Sequence, residues 1–164
     1  MERFQDVLDT ESIQFKRNVI RQTLQILIQS KLTIAVAESV MLGTLLKIIT
    51  RMPKREIVFK GGFACVGTQS LISLGKVTPR DIQDSAFSSI ALTLAKEVKD
   101  QCGASIGIAT AGVITEVSPG EYSGKISFGY VFPAFQSVKT IQVTATEGIV
   151  EEKIVQTCFA YLRQ

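Results

Sequence analysis

The stretch that most constrains this chain is Lys31–Gly43, KLTIAVAESVMLG. Residues Leu32–Ala37 are apolar or β-branched and carry no charge until Glu38, which predicts a strand covered on both faces. Glu38 and Ser39 follow, and then a helix from about Met41 to Arg51, stopped by Pro53. A buried strand that turns into a helix exposes backbone N–H groups and small side chains at its carboxyl end. In α/β folds ligands bind there. Ser39 is therefore the first candidate for a reactive group. Its structural alternative is the N-cap of the following helix.

The 164 residues fit a single domain over 1–164 with a sizeable core. A hydrophobic fraction of 46%, against 20% charged, describes a globular chain and excludes a disordered one. Lys, Arg or Gln interrupts every apolar run short of a membrane span, so no membrane partner is expected. The polar, acidic opening MERFQDVLDTES argues against a signal peptide. The net charge is only +3 and the basic residues are scattered, so no nucleic-acid partner is expected. Cys65, Cys102 and Cys158 show no C-x-x-C spacing, which points to reduced thiols in a cytoplasmic protein. Histidine is absent altogether. That removes a Ser-His-Asp triad, a Cys-His dyad and any His-containing zinc site. No metal and no cofactor are expected, and any chemistry falls to Ser, Thr, Lys, Tyr or carboxylates.

Periodicity orders the remainder. Residues from Met1 to about Ser30 read as helix, with Asp9 or Thr10 as a cap and Phe15, Val19, Ile20, Leu24 and Leu27 among the apolar positions. Ile57–Val66 reads as a second strand with a bulge or close approach at Gly61-Gly62. Gln69–Leu74 is a short helical turn. Thr78-Pro79 opens another, with Thr78 as cap. Ala86–Gln101 is an amphipathic helix closed by Gly103. Ser105–Thr110 is a third strand, after which Ala111-Gly112 opens a loop. Ser118–Glu121 is a turn. Gly124–Phe132 and Gln136–Thr144 are strands, and Gly148–Arg163 is the last helix. The predicted fold is α/β: a three-layer α/β/α sandwich around a mixed, mostly parallel five-stranded sheet. The last two strands are too closely connected to be parallel.

These segments together resemble the CinA C-terminal domain family, whose active members are nicotinamide-nucleotide amidases. The likeness covers nearly the whole chain. The family's A-E-S-C-T-G-G is matched by Ala37-Glu38-Ser39-Val40-Met41-Leu42-Gly43. Its G-G segment is matched by Gly61-Gly62, but Val66 and Leu71 stand where the family carries Tyr and Lys, with Gly67 and Thr68 between. Its T-G-x-A-G-P is matched by Thr110-Ala111-Gly112-Val113-Ile114-Thr115-Glu116, in part.

The resemblance implies a nucleophile at Ser39. It implies a ligand-binding set of Glu38, Gly43, Gly61, Gly62, Thr68, Thr110 and Gly112. Amide hydrolysis needs a nucleophile, a base, an acid and donors for the oxyanion. Val66 and Leu71 cannot move protons, so the expectation is a catalytically impaired protein that binds a small nucleotide-like ligand or a partner. Met41, Leu42 and Ile114 should also narrow the pocket. One alternative is an active amidase on nicotinamide mononucleotide, with Lys60 or Lys76 as a substitute base and Glu38 a further option. The other is a structural or oligomerisation domain. A homo-oligomer is expected, from the high hydrophobic fraction and the family likeness.

Overall fold

The computed structural model describes residues 18–40 and 43–163. The cap at Asp9 or Thr10, the start of the second helix at Met41, and the bulk of Met41 and Leu42 lie outside the described residues. Helix α1 is followed through residues 18–29. Strand β1 is Ile34–Glu38, then come helices α2 (Thr44–Thr50) and α3 (Arg55–Val58) and strand β2 (Phe59–Ala64). Helices α4 (Thr68–Ser73), α5 (Pro79–Gln83) and α6 (Phe87–Cys102) lead to strands β3 (Ile106–Ser118), β4 (Glu121–Val131) and β5 (Gln136–Thr146) and to helix α7 (Glu147–Tyr161).

The five strands form one sheet in the order β2-β1-β3-β4-β5. β1 lies parallel to both β2 and β3, whereas β3–β4 and β4–β5 are antiparallel. Only β4 therefore runs against the other strands, which is the mixed, mostly parallel sheet expected. Strand alternation sorts the side chains onto two faces. Ile34, Val36, Ile106, Ile108, Ile126 and Phe128 pack with α1, α2 and α7. Ala35, Ala37, Ala109 and Ala111 pack beneath Ile90, Leu94 and Val98 of α6. These are the three layers. The alanine face lets α6 lie close, and two glycines bring it closer still. A Cβ at Gly107 would run into the Ala95 carbonyl, and one at Gly129 into the backbone of Ala91. Burying a side chain such as Leu94 contributes roughly 1.5–3 kcal/mol.

Three local readings are corrected. Ile57 and Val58 belong to the helical turn α3, entered through Lys54 at φ 61°, so β2 starts at Phe59. Ala111-Gly112 does not open a loop. β3 continues to Ser118 because β4 supplies a partner for its whole length, Gly112 pairing with Ile126. Ser39 is not the cap of α2, whose N-cap is Gly43 at φ 100°. Other signals hold. Thr78 caps α5 by accepting from the Asp81 N–H, and Gly103 ends α6 in the left-handed region. The β1–β2 register shifts at Ala35↔Gly61, which is the bulge predicted at the double glycine.

Candidate functional site

β1 pairs with β3 only as far as Glu38↔Thr110, yet β3 runs on to Ser118. The overhang leaves a recess at the carboxyl end of the sheet, and Ser39 stands at its edge. The Ser39 hydroxyl donates to the Thr110 carbonyl at 2.9 Å, and the Ser39 N–H donates to the same oxygen at 3.1 Å. The side chain is thereby tied to the end of the β1–β3 ladder. Beside it, the Cys65 N–H donates to the Glu38 carbonyl at 2.7 Å, so the chain leaving β2 lies against the end of β1.

A cleft of about 200 Å³ opens here. Its polar groups are Ser39, Cys65 and Thr68, and Gly67, Ala111 and Gly112 contribute backbone. The rest of the wall is apolar: Leu71 from α4, Ile82 from α5, and Phe87 and Ile90 from the first turns of α6. Of the residues singled out from sequence, the cleft gathers Ser39, Thr68 and Gly112. Thr110 does not line it: its side chain is fully buried in the sheet, and its carbonyl accepts from Ser39.

Glu38 points the other way. Successive residues of a strand face opposite sides, so Glu38 enters the α2–α7 layer while Ser39 faces α6. Glu38 is fully buried, and its Oε1 accepts from the Leu46 N–H at 2.7 Å at the start of α2. Burial pushes its carboxyl pKa up. The N–H groups of Leu46, Leu45, Gly43 and Thr44 oppose that shift by favouring the carboxylate. Glu38 thus does for α2 what Gly43, having no side chain, cannot do.

Gly61 and Gly62 also lie away from the cleft. Gly62 makes room for the Val36 carbonyl and the Leu46 side chain, and Gly61 lies against Cys102. Their signal in the sequence was one of close packing.

Among the described residues, no cleft-lining side chain is a carboxylate, lysine, arginine or tyrosine. Lys60 and Lys76 are both exposed, and the Lys76 ammonium donates to the Ser73 carbonyl at 2.9 Å. Val66 is 68% exposed and does not line the cleft. Glu116 accepts from the Gly120 N–H at 2.8 Å and so ties down the β3–β4 turn. Sequence reasoning missed Cys65, as it missed Ile82, Phe87 and Ile90 of the apolar wall. Cys65 sits directly beyond the carboxyl end of β2, as Ser39 sits beyond β1, and that shared position was the available signal. Burial raises its thiol pKa, so it is a protonated thiol at neutral pH. The described residues contain no group of three or more Cys, Asp or Glu able to hold a metal ion. No helix among them is long and apolar enough to cross a membrane.

The comparisons with known proteins agree with this fold. A crystal structure of competence damage-inducible protein A from Klebsiella pneumoniae superposes with a TM-score of 0.80 at 18% identity, covering 90% of this chain and 94% of that one. A CinA superfamily protein from Escherichia coli gives 0.79 at 18% identity, covering 90% and 88%. The competence/damage inducible protein CihA from Agrobacterium tumefaciens gives 0.73 at 16% identity, covering 91% and 96%. At such identities the likeness establishes the fold. In sequence, a Listeria innocua protein named for competence-damage inducibility is 31% identical over 114 residues, which is 68% of this chain and 28% of that protein. The chain thus spans less than a third of that relative's length. The family model for the CinA C-terminal domain matches residues 16–164. From α1 to the last helix, this chain belongs to the CinA C-terminal domain family.

Proposed function

We propose that this protein is a CinA-family member that binds a small ligand in the Ser39 cleft without hydrolysing it. One observation carries the reading: the Ser39 hydroxyl proton is given to the Thr110 carbonyl, and among the described residues no lining side chain can take it. A backbone carbonyl is not a base, and an unactivated alcohol is a poor nucleophile. A positioned acid or base is worth roughly 10²–10⁴-fold, so the absence of such a group at the cleft leaves little amidase turnover. Lys60 and Lys76 are poorly placed to substitute, and Glu38 is committed to α2 on the opposite face. An open recess of about 200 Å³ favours ligand binding over a filled, purely structural cleft. A cytoplasmic location belongs to the same reading and rests on three unpaired cysteines. So does a homo-oligomer, resting on the hydrophobic fraction, with light scattering at micromolar concentration as its test.

The deciding experiment is ammonia release from nicotinamide mononucleotide by the wild type and by Ser39→Ala. The expected result is the same background rate for both. Turnover in the wild type that disappears in Ser39→Ala would overturn the reading.

A further inference from the structure

We infer that a second site lies in the groove between α1 and the α2–α3 connection, and that it takes a small amphipathic carboxylate. α1 and α2 cover the face of the sheet opposite the Ser39 cleft, so this site is independent of the reading given for that cleft. The groove encloses about 410 Å³, within the roughly 300–1,000 Å³ usual for small-molecule sites. It is open to solvent, so a ligand longer than the groove can leave one end in water.

Helix periodicity builds one wall. Arg21, Gln25 and Gln29 recur every fourth residue along α1 and are exposed, which sets them in one polar row. At 1.5 Å per residue that row runs for about 12 Å. Leu24 and Ile28 form the next row inward, buried and half-buried, and the buried Met52 meets them from the other wall. The floor is thus apolar and the rim polar. Lys54 stands on the far side, so each wall carries a cation. Among the described residues, the side chains of Arg21, Lys54, Gln25 and Gln29 have no hydrogen-bond or ion-pair partner.

The surroundings fix the sign. The exposed ionisable groups from Lys47 to Lys60 are five cations, Lys47, Arg51, Lys54, Arg55 and Lys60, against the single carboxylate Glu56. Such an excess draws anions to the groove. A carboxylate suits the rim, because it accepts paired N–H bonds from a guanidinium and further ones from an ammonium or a carboxamide. A hydrocarbon body suits the floor, where burial removes apolar area from water. A purely polar anion would use only the rim, and a hydrocarbon only the floor. A molecule with a carboxylate at one end and hydrocarbon behind it uses both.

The test uses the full chain and three eight-carbon probes below their micellar concentrations in ligand-observed NMR: octanoate, its neutral isostere octanamide, and octylamine. Octanoate should bind tightest, by roughly fivefold or more over octanamide, since exposed charges contribute modestly. High salt should narrow that gap. Lys54→Gly removes the ammonium at a position whose φ of 61° glycine adopts freely. It should reduce the preference for octanoate with the unfolding midpoint unchanged or raised, which a merely structural lysine would not do. Arg21→Glu combined with Lys54→Glu should put octylamine first. Equal binding of octanoate and octanamide, or octanoate binding unchanged in the double variant, would overturn the inference, as would no octanoate binding to the folded wild type. Binding to phosphatidylglycerol vesicles without binding of free octanoate would assign the groove to a lipid surface and overturn it as well.

Discussion

Glu38 and Thr110 are register partners across the β1–β3 ladder, both fully buried, and each keeps one side-chain oxygen without a hydrogen-bond partner. They occupy the face of the sheet opposite the Ser39 cleft, against α2 and α7. A buried, incompletely satisfied carboxylate is costly, and the cost here is offset in part by its position at the N-terminus of α2. Cys158 of α7 lies close enough for Glu38 to raise its thiol pKa, after burial itself.

The first prediction concerns pH. Glu38 has its folded pKa raised from the ordinary 4.5, chiefly by burial. Between 4.5 and that higher folded value, the folded state holds a proton that the unfolded state has lost. The stabilising contribution is complete below the unfolded pKa and is lost as pH rises through the folded one. Denaturant melts from pH 4 to 8 should show the stability of wild type falling relative to Glu38→Gln across that window. A constant difference would contradict the assignment. Glu38→Ala, which strips the acceptor from α2, should lose about 1 kcal/mol or more at pH 7.

Ser39→Ala should be a mild structural change with no catalytic consequence. It removes one hydrogen bond, to the Thr110 carbonyl, and leaves the Ser39 N–H on the same oxygen. The expected cost is about 1 kcal/mol in urea unfolding. A loss above about 3 kcal/mol would mean that the hydroxyl anchors more than the ladder end.

Gly107→Ala and Gly129→Ala should each cost about 3 kcal/mol or more. The new methyl group meets α6 backbone, which cannot rotate away as a side chain can. Gly148→Ala, where an added Cβ meets nothing within 4 Å, is the control and should be neutral or stabilising. Equal midpoints for all three variants would contradict the close seating of α6.

Thiol labelling under native conditions should find one accessible cysteine. Cys65 and Cys158 are buried, while Cys102 is half-buried at the end of α6. A disulfide reagent should modify Cys102 first and all three only after denaturation. Cys102→Ser should abolish the early phase. Persistence of that phase in Cys102→Ser would place Cys65 or Cys158 at the surface.

Elements whose signals were local were legible in the sequence. Thr78-Pro79, Gly103 and the Gly61-Gly62 bulge each depend on a few adjacent residues with particular conformational needs. The continuation of β3 through Ala111-Gly112 was not, since those residues are strand only because β4 lies alongside. Ile57 and Val58 have strand composition but complete a helical turn after Pro53-Lys54. Short apolar runs do not distinguish the two states.

The site divided in the same way. The sequence by itself determined that Ser39 stands beyond a buried strand, that the chain lacks histidine, and that Val66 and Leu71 cannot move a proton. Residue type and strand periodicity suffice for each of these. Only the tertiary structure separated Glu38 from Ser39 onto opposite faces, brought Cys65 and the α4–α6 wall to the serine, and directed the serine proton to a carbonyl. Those outcomes depend on where β1 ends relative to β3 and on how close α6 lies. Both are set by contacts between residues far apart in sequence, which no local pattern encodes.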